Sequence, residues 1–248
     1  MDDFEDSTLW RISEFERARQ AGRIGAGIDL DRPTLLPTTL LADLQRLENS
    51  PAANDVLEVI AACLRHREAA LLYLAHGPYV WPVTLFPHQQ LFHSPRDVSD
   101  IASETALSQL KLISAEPPGV RPPGHAMHER VGASDKYRPL PGLLWAVALH
   151  GPRDTLLNEI GGKAAYRLAS GRDDDLPAAL GALLPAARRL RQESVSLKEI
   201  ASWPGLSTQR ASRLLNALYL TGALMVTRSH LSAQRESLGW RDLFSRRR

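Results

Sequence analysis

Residues 196–227 read SLKEIASWPGLSTQRASRLLNALYLTGALMVT and constrain the fold more tightly than any other stretch of the chain. Ser196 and Glu199 have the S-x-x-E spacing of a capping box, in which each side chain satisfies a backbone donor of the other at a helix start. Leu197, Ile200 and Ala201 give that helix an inward face, and Pro204-Gly205 stops it. Leu206 packs in the turn, and Ser207 caps the helix that follows. In this second helix Ala211, Leu214, Leu215 and Leu218 fall at i, i+3, i+4 and i+7, an apolar stripe aimed at a core. Gly222 closes it, and residues 223–227 have the apolar, β-branched character of a strand. The pattern predicts a short helix, a tight turn, a second helix and a strand.

The face opposite the stripe carries Gln209, Arg210, Ser212, Arg213 and Asn216. These residue types can reach phosphates and base edges from a helix lying in the major groove. Over about 193–230 the stretch resembles the winged helix-turn-helix superfamily of bacterial regulators, by pattern and without a family-defining motif. The resemblance implies DNA binding, with Ser207, Thr208, Gln209, Arg210, Ser212 and Arg213 on the recognition helix and Asn216 and Arg228 beside them. Arg228-Ser229-His230 stands where the wing turn is expected and lacks the glycine or asparagine of a tight hairpin, which points to a short wing or none. Trp203 is large for a position beside the turn. Winged helices also serve as dimerisation or protein-docking modules, so an adaptor that never touches DNA is the alternative.

Charge is segregated along the chain. Residues 186–248 hold 12 Lys/Arg against 4 Asp/Glu, leaving 18 against 24 for residues 1–185. A basic C-terminal module beside an acidic body fits contact with a polyanion. Part of the excess is only Arg246, Arg247 and Arg248, which as a solvated tail need no partner.

The predicted fold class is α+β, with a helical N-terminal region and small antiparallel sheet in a body spanning 1–138, and a mainly helical part at 139–248 ending in the winged helix at about 185–230. Amphipathic spacing predicts helices over 7–20 and 39–47, and a third after Ser50-Pro51. Two β-rich runs flank Gly77-Pro78 and predict a hairpin in which Tyr79, Trp81, Val83 and Leu85 share a face. Pro82 removes a backbone donor and places its strand at an edge or a bulge. Residues 90–93 and 109–114 are further strand candidates. The segment EPPGVRPPG at 116–124 reads as extended polyproline-like backbone and the best boundary or exposed loop. Residues 140–149 are apolar all round and predict a buried helix. A short helix is expected at 152–160, either strand or helix at 164–169, and after Asp173, Asp174 and Asp175 a helix that kinks at Pro185.

Catalytic and cofactor chemistry finds little footing. No G-x-S-x-G elbow occurs, no GxGxxG follows a strand, and Gly161-Gly162-Lys163 lacks the first glycine and the Ser/Thr of a P-loop. His125 and His128 have HxxH spacing but follow PPG, so a solvated loop is favoured over a metal site. A single cysteine, Cys63, excludes an intramolecular disulfide and reads as a small core residue. The aspartate run reads as a helix cap, since it lacks the spacing of a calcium loop. No cofactor, metal or catalytic residue is assigned. The acidic start and the absence of about 18 consecutive apolar residues point to a cytoplasmic protein without a membrane span. Tyr79 and Trp81 in the hairpin, and Trp240 and Phe244 in the segment 237–248, are the aromatic candidates for protein contact, the last two also being able to fold back over the winged helix. The expected function is a non-enzymatic regulator that binds double-stranded DNA, as a homodimer because one short helix reads few base pairs. In the alternative the partner is a signalling protein.

Overall fold

The computed structural model describes residues 9–21, 36–98, 107–169, 171 and 176–229. Trp240, Phe244, His230, the aspartates at 173–175 and the glycine-rich stretch at 22–27 lie outside them. The chain forms two compact units, 1–152 and 153–248, each built of helices and antiparallel sheet. No helix among the described residues is long and apolar enough to cross a membrane.

The first unit is organised by a sheet of order β5-β2-β3-β4-β6, with β1 (Trp10–Arg11) pairing the start of β3. Strands β2 (Ala70–His76) and β3 (Tyr79–Phe86) form the expected hairpin, with His76 opposite Tyr79. Gly77 supplies the left-handed backbone of its turn, φ 57°. Strands β4 (Leu91–His93), β5 (Lys111–Glu116) and β6 (Tyr137–Pro139) complete the sheet. Pro82 is neither on an edge strand nor at a bulge. It sits within central β3, where β1 covers only Tyr79 and Val80 and β4 pairs only from Thr84 to Phe86, so the missing donor falls in a gap between two short partners.

Helices α1 (Ile12–Gln20), α2 (Thr38–Glu48), α3 (Val56–His66) and α4 (Leu140–His150) accompany this sheet. Helix α3 starts later than Ser50-Pro51 suggests. Its cap is Asp55, whose carboxylate accepts from the amides of Leu57 and Glu58. Helix α4 is buried on most of its surface, and its first amide donates to the Gln90 carbonyl at 2.9 Å, so it continues the body instead of opening the next unit. The division of the chain therefore falls after Pro152. The polyproline segment is no boundary but a loop closed within the first unit, with Pro118 and Pro122 buried and the Tyr137 hydroxyl donating to the Arg121 carbonyl.

The hairpin corrects one aromatic. Trp81 is 0% exposed and its indole N–H donates to Ser94 Oγ at 2.7 Å, which makes it a core residue and not a docking surface. Alternation along β3 gives two faces, and from Val80 onward both are covered. Tyr79, at the hairpin end, keeps 38% exposure.

The second unit contains β7 (Ala165–Leu168), a 3-10 turn (Ala178–Leu183), α5 (Leu184–Arg189), β8 (Val195–Ser196), α6 (Leu197–Ala201), α7 (Thr208–Leu220) and β9 (Leu224–Thr227). Its sheet has the order β8-β7-β9, so the middle strand comes from upstream in the chain. Residues 164–169 thus resolve as a strand, pairing Tyr166 with both Val195 and Val226. Pro185 occupies the first turn of α5, where a proline costs no hydrogen bond, and the break precedes it at Gly181. Residues 152–160 contain no helix.

Trp81→Phe keeps the ring in the core and removes the donor to Ser94, so unfolding in urea should show a loss of about 1–3 kcal/mol. A second outcome concerns His93, whose ring packs at a tilt of 58° against Tyr137 with ring centroids 4.8 Å apart. Burial, aided by the charges of Lys136 and Arg138, pushes its pKa down from 6.5 to about 4. The unfolded chain then binds the proton more tightly than the folded one. Stability from this site is full above pH 6.5 and lost progressively as pH falls towards about 4. Urea midpoints measured across that window should fall less steeply in His93→Gln than in the parent; equal slopes would contradict the assignment.

Candidate nucleic-acid interface

The capping box forms as its spacing predicts. Ser196 Oγ accepts from the Glu199 amide, and Glu199 Oε2 accepts from the Ser196 amide at 2.8 Å. Gly205, at φ 75°, turns the chain between α6 and α7. Trp203 is buried beside this turn beneath the guanidinium of Arg189, which lies 4.4 Å from the ring centroid. The large residue that looked awkward here is what fixes the turn to α5.

Helix α7 places its apolar stripe as expected, with Ala211, Leu214, Leu215 and Leu218 all fully buried. The polar face behaves differently. Asn216 is 0% exposed, its Oδ1 accepting from the Leu157 amide and its Nδ2 donating to the Thr155 carbonyl, both at 2.9 Å. Gln209 Nε2 donates to Asp154 Oδ2 at 2.9 Å, and the Tyr219 hydroxyl donates to the Glu159 carboxylate. Residues 209, 216 and 219 share one helical face, and 154–161 runs along it. Ser212, on the same face, is also buried. Arg228, just past β9, closes the far end by donating from Nη1 to the Gly161 carbonyl and from Nη2 to the Glu159 carbonyl, at 2.9 and 2.8 Å.

The proposed reading face therefore divides. Ser207, Thr208, Gln209 and Arg210 are exposed at the start of α7, and Arg213 is half-buried one turn on. Ser207 is the N-cap, accepting from the Arg210 amide at 3.2 Å, and Arg210 Nη1 folds back to the Gly205 carbonyl at 2.7 Å. Ser212 and Asn216 cannot face a ligand because the unit's own backbone occupies that side. Arg228 is exposed but tethered.

No protein-family model, curated protein or solved structure matches the chain. Its function rests on the chemistry of its own side chains. Those that sequence reasoning missed are Asp154, Glu159 and Tyr219, together with the backbone carbonyls of 155–161. Their only trace in the sequence is Gln209, Ser212, Asn216 and Tyr219 at helical spacing, which says that the face is polar and not what meets it.

Asn216→Ala strands the buried Leu157 amide, while the Thr155 carbonyl keeps its bond from Arg153 Nε, so it should cost about 1–3 kcal/mol in urea unfolding. Exposed Thr208→Ala should stay within about 0.5 kcal/mol. Comparable losses at the two positions would contradict the division of α7 into a buried length and an open end.

Proposed function

We propose that the chain is a non-enzymatic regulatory protein of the cytoplasm whose second unit is a winged helix that binds double-stranded DNA through the N-terminal turn of α7. The order α5, β8, α6, turn, α7, β9 supports the fold assignment, and among the described residues β7 lies between β8 and β9 in the sheet. The observation that carries the binding reading is the exposure of residues 207–210 at the start of a helix that is mostly buried beyond them. In helix-turn-helix recognition it is the N-terminal residues of the second helix that meet the base edges. The positive dipole end at that point also favours phosphate. Arg188, Arg191 and Lys198 are further exposed cations of the same unit. Two copies of the chain would double the short footprint of one helix end.

One observation favours a second reading, a protein-docking adaptor without DNA: residues 154–161 wall off the face of α7 that would otherwise lie in a groove. With Trp81 in the core, Tyr79 is the aromatic of the first unit left to such an adaptor among the described candidates.

Fluorescence anisotropy of the full chain with generic labelled duplex, across a salt series, separates the two. Affinity should fall linearly in log salt, and Arg210→Ala/Arg213→Ala should weaken binding and lower the slope by about 0.9 for each phosphate that is no longer neutralised. A folded protein that binds no duplex at low salt would overturn the DNA reading and leave the adaptor.

A further inference from the structure

We propose that β9 is a dimerisation edge, along which a second copy of this chain adds its own β9, antiparallel, around a two-fold axis. The inference stands apart from what α7 meets. Open sheet edges invite foreign strands, and folded chains blunt them with charge, proline, a bulge or shortness. The other strand edges among the described residues are blunted in these ways. Strand β5 carries Lys111 and Glu116, is irregular against β2 between Tyr73 and Leu74, and has its Leu112 amide taken by the Asn54 carbonyl. Strand β6 is three residues long with Arg138 and Pro139, and β1 and β8 are two residues each. Strand β9 has none of these devices. Residues 223–227 read ALMVT, β9 pairs with β7 in unbroken register, and Met225 is left 51% exposed.

The phase of its hydrogen bonding selects the partner. The Ala169 amide donates to the Ala223 carbonyl at 2.8 Å, while the Leu168 amide turns the other way to the Leu190 carbonyl. Bonded and non-bonded pairs alternate along an antiparallel ladder, so 223, 225 and 227 bond inward to β7, and Leu224 and Val226 present their N–H and C=O outward. No hydrogen bond among the described residues takes those outward groups. Two outward residues flanking Met225 make an edge that complements itself. With the axis at Met225, Leu224 faces Val226 of the second copy and Val226 faces its Leu224, which satisfies every outward group of both strands. Met225 then meets its own counterpart across a close, non-hydrogen-bonded pair, and both side chains leave water. Charge does not oppose this. Strand β9 carries none, and Arg167, opposite Met225 on β7, would stand three strand spacings, roughly 14 Å, from its counterpart, beyond the screening length at physiological salt. A strand of four residues buries far less than the roughly 1,600 Å² of a standard interface, so the dimer is weak, with a midpoint in the micromolar range.

The test is sedimentation equilibrium of the full chain between about 1 and 300 µM, where a monomer–dimer equilibrium is expected. Met225→Lys, at an exposed site, sets two ammonium groups on the close pair and should raise the dissociation constant at least about tenfold, with the circular dichroism and urea midpoint of the parent. Met225→Cys supplies the accessible thiol, since Cys63 is 0% exposed. Under mild oxidation it should form a disulfide-linked dimer, because the Cα atoms of a close pair lie within bridging reach. Thr227→Cys, about 14 Å from its counterpart in the same register, should not. A parent that stays monomeric throughout, an association that Met225→Lys leaves unchanged, or cross-linking of Thr227→Cys as readily as Met225→Cys would each overturn the proposal.

Discussion

The carboxamide of Asn216 decides the architecture of the second unit. An irregular segment such as 154–161 carries backbone groups with no ladder or helix to satisfy them, and a buried amide or carbonyl left unpaired is costly. Helix α7 meets that need from its polar side. Asn216 takes the Leu157 amide and the Thr155 carbonyl, and Arg228 takes the carbonyls of Glu159 and Gly161. The Tyr166 hydroxyl on β7 donates to the Ile160 carbonyl at 2.6 Å. Leu157 and Ile160 then bury fully between these polar fastenings. Part of what looks in sequence like a reading face, Gln209, Asn216 and Arg228, instead fastens a loop without regular structure that buries Leu157 and Ile160.

The parts of this fold that are legible in the sequence are those whose physics is local. The capping box of Ser196 and Glu199, the stripe 211, 214, 215 and 218, the turn at Gly77-Pro78 and the all-apolar α4 each depend on residues a few positions apart. The parts that are not legible depend on distant pairings. Helical periodicity separates the core side of α7 from its other side, yet says nothing of a segment fifty or so residues upstream lying across the latter. Strand 165–168 carries no mark that it will sit between β8 and β9. Trp81 and Pro82 fail for a related reason, since alternation assigns residues to faces and cannot say whether both faces are covered or where a neighbouring strand stops. Of the candidate site, residues 207–210 lie at the exposed end of α7, and Ser212 and Asn216 are given over to packing.

The open end of α7 is also held stiffly. Ser207 caps it, Gly205 turns the chain before it, and the turn is pinned through buried Trp203 to Arg189, whose Nε is in turn engaged by the Glu193 carboxylate. A helix buried over most of its length can present only its end, and an end so braced loses little conformational freedom when it meets a partner. Under the DNA reading proposed above, a duplex would meet that end along the helix axis, where the macrodipole and Arg210 act on the same point. That geometry disfavours any ligand that must lie along the helix. The same enclosure that buries the later turns of α7 leaves its first turn, residues 207–210, as the stretch of the helix open to solvent.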